Sequence, residues 1–223
     1  MRDFFSAAKA TDLFGGGIDK GGKRFCADRC RALIIPVPRT GWTQLKTLLV
    51  IDMQNAWLNR DTPRFDRDGV IERINKVARH MRAQGSQVIF IQHCDTDALP
   101  YQDGWKLDAG LEVLEDDRKI DKTACDAFAD TVLFDLLLER DSKTVIIAGL
   151  ATEFCVDTTV RAALSMGFDV IALSDAHTTG DRAHLSAQQI IEHHNWVWAN
   201  LGVPIGSTLT VQSTQQMLDA DAD

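Results

Sequence analysis

The chain predicts an α/β domain built on a mostly parallel sheet of about six strands, with helices on both faces. Three observations carry that reading. Short apolar runs of strand length recur at residues 48–51, 87–91, 145–148 and 170–173, and 208–211 reads as a last strand. Segments with helical apolar spacing alternate with them, as expected when parallel strands are joined by crossover helices. The 223 residues are enough for one large domain with a full core.

The domain is expected to run from residue 46 to residue 223. Residues 48–51, Leu-Leu-Val-Ile, are apolar without interruption and read as a central strand buried on both faces. Asp68 and Gly69 open a helix whose Val70, Ile71, Ile74, Val77, Ala78 and Met81 share one face, and Gly85 suits its end. Residues 87–91 form the second strand. Residues 94–117, with Pro100, Tyr101, Gly104 and Trp105, form a polar connection long enough to fold over a site. A helical turn is expected near 111–114. Residues 118–122 read as a short strand ending at Lys122, and 130–139 as a helix. Residues 145–148 are the next strand, followed by a helix over 156–165 that Gly167 closes. A strand at 170–173, a helix at 185–201 and a last strand at 208–211 complete the pattern.

Composition excludes several functions. No apolar run reaches the roughly 18 residues of a membrane span, and a formal net charge of −8 argues against nucleic-acid binding. The five cysteines, odd in number and irregularly spaced, suit free thiols in a reducing, cytoplasmic setting. Residues 1–45 read as a loose leader, with eight Lys/Arg against four Asp and a cluster of glycines. Its basic bias also suits a mitochondrial transit peptide, although Asp3, Asp12, Asp19 and Asp28 count against one. Residues 17–23 imitate a phosphate loop, but Arg24 stands where the magnesium-binding Ser/Thr belongs. Cys26 and Cys30 lack a second ligand pair for zinc.

Chemistry concentrates at the predicted strand ends, where ligands bind in parallel sheets. Cys155 sits at a strand-to-helix turn, among unpaired N–H groups at the positive end of a helix. That setting is expected to lower the thiol pKa and favour the thiolate, and the N–H groups of Ala151 and Cys155 can hold an oxyanion. Asp52, after the first strand, could take the thiol proton. Lys122, at the end of the third, could offset the charges.

Residues 49–54 (Leu-Val-Ile-Asp-Met-Gln), Lys122 ahead of Asp126-Ala127-Phe128, and residues 149–156 around Cys155 occur in order. So does 174–179, Ser-Asp-Ala-His-Thr-Thr. Over about residues 46–212 the chain resembles the isochorismatase-like cysteine hydrolases, which include nicotinamidase, isochorismatase and streptothricin hydrolase. The resemblance implies a three-layer, Rossmann-like fold and a catalytic triad of Asp52, Lys122 and Cys155. It also implies a cis peptide at Leu150–Ala151 beside the oxyanion site, and a homodimer or larger homo-oligomer. The activity implied is hydrolysis of a small non-peptide amide through a thioester. The alternatives are vinyl ether hydrolysis of the isochorismatase type and a non-catalytic interaction module.

No cofactor is expected. The metal-using nicotinamidases carry Asp-x-His and two further histidines after the second strand, whereas here only His93 and Asp95 stand there, too few for a firm site. Trp57, Trp105 and Phe154 are expected to line an aromatic, mostly uncharged pocket. His177 reads as a hydrogen-bonded structural residue, and residues 193–195 as packing or subunit contact.

Overall fold

A computed structural model of the chain describes residues 45–221. The leader, the imitation phosphate loop and the Cys26/Cys30 pair lie outside the described residues. In chain order the elements are β1 (Lys46–Ile51), α1 (Asn55–Leu58), α2 (Arg67–Ala83), β2 (Gln87–His93), β3 (Arg118–Lys122), α3 (Leu133–Glu139) and β4 (Thr144–Leu150). A π-helical turn (Thr152–Val156) then leads into α4 (Asp157–Ser165), β5 (Asp169–Thr178), α5 (Ala187–Ala199), β6 (Leu209–Gln212) and α6 (Thr214–Ala220).

The six strands are all parallel, in the order β3-β2-β1-β4-β5-β6. Alternation along β1 builds the two faces. Leu48 and Val50 pack with Val70, Ile74, Val77 and Met81 of α2. Leu49 and Ile51 pack on the opposite side with Leu133 and Leu137 of α3, Val160 and Leu164 of α4 and Trp198 of α5. Burying such a side chain stabilises by roughly 1.5–3 kcal/mol, and β1 can hold an unbroken apolar run because both its faces are covered. The result is a three-layer α/β/α fold. No helix among the described residues is long and apolar enough to cross a membrane.

This strand order reverses direction between β1 and β4, and such a switch leaves a crevice at the carboxyl ends of the two strands. The close approach there depends on Gly149. It pairs with Ile51, has a φ of 121°, and a Cβ on it would lie 2.1 Å from the Ile51 carbonyl oxygen. No other residue fits against the end of β1 at that distance.

Several expectations are corrected. Residues 111–114 form no helix: Leu111 is buried on the α2 side of the core, and its N–H bonds to the Asp108 carbonyl in a turn. Helix α3 begins at Leu133 because Asp130 takes a left-handed φ of 53°. Strand β5 runs to Thr178, five residues beyond its apolar stretch, because polar His177 and Thr178 find hydrogen bonds inside. Helix α6 was not anticipated, although Ser213 and Gln216 form a capping box that marks its start.

Candidate active site

Three strands each deliver one side chain to the crevice, at or just beyond their carboxyl ends. Asp52 follows β1 with a left-handed φ of 48°, its N–H bonded to the Ile91 carbonyl at 2.9 Å. Lys122 ends β3, in register with His93 of β2. Two strand spacings, about 9.6 Å, separate β3 from β1, so only a long side chain reaches from one to the other. Cys155 lies in the π-helical turn after β4. Beyond Lys122, the Ala127 N–H bonds to Thr159 of α4 at 3.2 Å and anchors the following loop.

The structure brings Asp52, Lys122 and Cys155 together. Lys122 Nζ lies 2.8 Å from Asp52 Oδ2, 3.3 Å from Cys155 Sγ, 3.0 Å from the Ala124 carbonyl and 3.1 Å from His93 Nδ1. An ammonium has three hydrogens, so four acceptors compete for three. Asp52 Oδ1 is buried without a hydrogen-bond partner. Oxygen, nitrogen and sulfur atoms of Asp52, His93 and Cys155 fall within 4.8 Å of one another, a ligand set that metals use. Here those three side chains all neighbour the Lys122 ammonium.

The electrostatics correct one expectation. Burial, and then the Asp52 charge, push the Cys155 thiol up; Lys122 pulls the other way. Burial thus favours the neutral thiol over the thiolate, opposite in direction to what the helix start alone would give. Burial also raises Asp52, against the opposing effects of Lys122 and Cys155. Burial works against the Lys122 ammonium, but Asp52 and then Cys155 outweigh it and hold its pKa above the ordinary value.

The Leu150–Ala151 peptide is cis, and Ala151 leads directly into the turn that carries Cys155. Thr152 in that turn is tied to buried His177, Oγ1 to Nδ1, at 2.8 Å. Asn195 Nδ2 donates to the Ser174 carbonyl, so Asn195 Oδ1 accepts from His177 Nε2–H at 3.0 Å. His177 thus holds one tautomer, and burial lowers its pKa to about 4. Asn195 had been grouped with packing residues; no spacing in the sequence links it to a histidine 18 positions earlier. Gln54 is a second missed support. Fully buried, it bonds both the N–H and the carbonyl of His93 and also the Trp105 carbonyl.

A cavity of about 500 Å³ opens over the thiol, lined by Trp57 and Phe154. Trp105 does not line it. The carbonyl of Trp105 is held by Gln54 and Gln92, and its ring packs beside Tyr101. Nor is the pocket mostly uncharged, for Arg60, Arg64 and Arg182 line it too. These arginines come from irregular segments after α1 and β5, where periodicity gives no orientation. Arg60 lies 4.8 Å over the Trp57 ring, and Arg182 lies 5.6 Å over Phe154.

A sequence profile for the isochorismatase domain matches residues 46–202. Streptothricin hydrolase of Streptomyces noursei is 34% identical over 140 residues, 61% of this chain and 56% of the relative, so the match spans little more than half of that protein. A ureidoacrylate amidohydrolase of Methylorubrum extorquens is 27% identical over 176 residues, covering 61% of this chain and 71% of the relative. Among solved structures, an isochorismatase family protein superposes with a TM-score of 0.69 at 35% identity, covering 74% of this chain and 96% of its own.

Proposed function

The chain belongs to the isochorismatase family of hydrolases, and from that premise we propose that it hydrolyses a small-molecule, non-peptide amide with Cys155 as nucleophile. The observation that carries this reading is the position of Lys122 Nζ, in contact with both Asp52 Oδ2 and Cys155 Sγ, while Asp52 Oδ1 stays free. Because the thiol is neutral at rest, sulfur does not wait as a thiolate. Asp52 Oδ1 takes the thiol proton as Sγ adds to the amide carbon, a general-base step. Lys122 offsets the charge that shifts from carboxylate to sulfur and back. The N–H groups of Ala151 and Cys155 receive the carbonyl oxygen as it becomes an oxyanion.

Collapse of the tetrahedral adduct breaks the C–N bond. The departing nitrogen takes the proton from Asp52 and leaves a thioester on Cys155. The carboxylate then deprotonates water, which attacks the thioester, and the thiol recovers its proton as the acid leaves. Trp57 and Phe154 offer flat apolar walls to a small ligand. Similarity to a ureidoacrylate amidohydrolase supports the amide class, and similarity to streptothricin hydrolase supports hydrolysis of a small molecule.

The test is a panel of small amides read by ammonia or amine release, with acid-quenched protein weighed by mass spectrometry. The reading expects an acyl adduct mapped to Cys155 and no turnover in Cys155→Ala. Normal turnover in that variant would end the proposal. Self-association belongs to the same reading, supported by exposed Trp196 on α5 and exposed Ile205 after it. Light scattering at a monomer mass would remove that part.

A further inference from the structure

Three guanidinium groups around one small cavity in a chain of net charge −8 need an explanation. Two of them have partners. Arg182 donates to Glu153 Oε1 from Nε at 2.8 Å and from Nη2 at 2.5 Å. Arg60 pairs with Asp97 at 2.8 Å. Arg64 pairs with no carboxylate among the described residues. Its Nε donates to the Trp57 carbonyl at 2.7 Å and its Nη1 to the Thr62 carbonyl at 3.3 Å. These neutral acceptors aim the group without cancelling its charge. Burial, then the Arg182 and Arg60 charges, loosen its hold on its proton; Glu153 opposes them only in part. A Cβ on Gly180 would lie 2.3 Å from Arg64 Nη1, so the missing side chain at 180 makes room for that head.

The acidic groups of the cavity are otherwise engaged. Asp52 is paired with Lys122. Asp95 accepts two backbone N–H groups, from Asp97 and Ala98, through Oδ1, and its Oδ2 lies 3.7 Å from His93 Nε2. A half-buried, oriented guanidinium with no carboxylate partner, lining the same cavity as Cys155, is a receptor for an anion, and its planar fork suits a carboxylate.

We propose that Arg64 is a specificity residue that binds a carboxylate on the substrate, so the amide hydrolysed is an anionic one. This inference rests on the cavity being the amide site proposed above. The carboxylate meets Arg64 while Trp57 and Phe154 flank the body of the molecule and its amide carbon faces Cys155.

The test uses two alkylating reagents alike in size and differing in charge. Iodoacetate and iodoacetamide are reacted with the full chain, and the rate at Cys155 is read by peptide mass spectrometry, separately from exposed Cys125. The iodoacetate-to-iodoacetamide rate ratio is compared with that of glutathione, so the thiol's own pKa cancels. We expect the ratio at Cys155 to exceed that of glutathione by about tenfold or more, as for ligands attracted into a charged cleft. It should fall to within about twofold of glutathione in Arg64→Gln and be largely kept in Arg64→Lys. A wild-type ratio equal to that of glutathione, or one unchanged by Arg64→Gln, overturns the proposal. If neither reagent modifies Cys155, as a thiol held neutral by burial allows, calorimetry of benzoate against benzamide decides this inference by itself. Tighter benzoate binding that is lost in Arg64→Gln supports it; equal affinities overturn it. Hydrolysis confined to neutral amides would leave the amidase reading standing and refute the anionic one.

Discussion

Lys122 Nζ meets Asp52 Oδ2 at 2.8 Å where neither side chain faces solvent, although 70 positions separate the two in the chain. A buried ion pair is a poor stabiliser as a unit, but breaking it strands a charge. Lys122→Met should therefore lower unfolding stability in urea by about 3–5 kcal/mol. The double variant Asp52→Asn with Lys122→Met should regain most of that loss, since no unpaired charge remains, and neither variant should turn over substrate. Wild-type stability in Lys122→Met would mean that the pair is not the neighbour Asp52 depends on.

The Asp52 charge is one of the forces that push the Cys155 thiol up. Asp52→Asn removes it while keeping the shape, so the thiol should then titrate at a lower pH than in the wild type. Turnover should nevertheless fall by several orders of magnitude, because the proposed base is gone. A nucleophile that becomes easier to ionise while the enzyme becomes slower separates base catalysis from a standing thiolate. The midpoint of pH-dependent alkylation at Cys155 provides the first reading and amide turnover the second. A midpoint that rises or stays put contradicts the electrostatic account.

The pairing of these residues was legible in outline because strand ends are legible. Apolar runs at 48–51 and 145–148 mark β1 and β4, and parallel topology then collects their carboxyl ends. What escaped was set by side-chain reach and by irregular backbone. Trp105 looked like a pocket wall, yet its carbonyl is pinned by Gln54 and Gln92, two buried amides with no periodic signature. Arg64 and Arg182 lie in loops, where nothing in the spacing predicts that they point into the cavity. Helix-terminus reasoning points toward the thiolate because it omits burial, the first force acting on Cys155.

His177 ties pH to stability. Buried and neutral, it has a pKa lowered to about 4 by desolvation, against about 6.5 for an unfolded histidine. Between those values the unfolded chain binds a proton that the folded chain refuses. The contribution is complete above pH 6.5 and is lost as pH falls, by about 3 kcal/mol once pH 4 is reached. Carboxylates titrate over part of the same range, so the informative quantity is the difference between wild type and His177→Gln. The variant should show the shallower loss of stability between pH 6.5 and 4 in urea titrations. Parallel curves would show that His177 is not the linked group.

Gly149 tests whether the crevice depends on backbone contact. An added Cβ would meet the Ile51 carbonyl oxygen at 2.1 Å and the Ile51 nitrogen at 2.6 Å. Both are main-chain atoms of the neighbouring strand, so no rotamer change can relieve the clash and β1 must move away from β4. Asp52 follows Ile51 directly and Cys155 lies in the turn after β4, beyond Gly149, so the movement separates the proposed base from the proposed nucleophile. Gly149→Ala is expected to lower stability by about 3 kcal/mol and, in the fraction still folded, to cut turnover by about a hundredfold, the scale of a 1 Å misplacement. Gly167→Ala is the control, because Gly167 also has a positive φ, 89°, but a Cβ there meets nothing within 4 Å. That change should carry only the backbone strain of about 1–2 kcal/mol and leave turnover intact. If the two variants behave alike, left-handed strain alone explains Gly149, and the close approach of β1 to β4 is not what aligns Asp52 with Cys155.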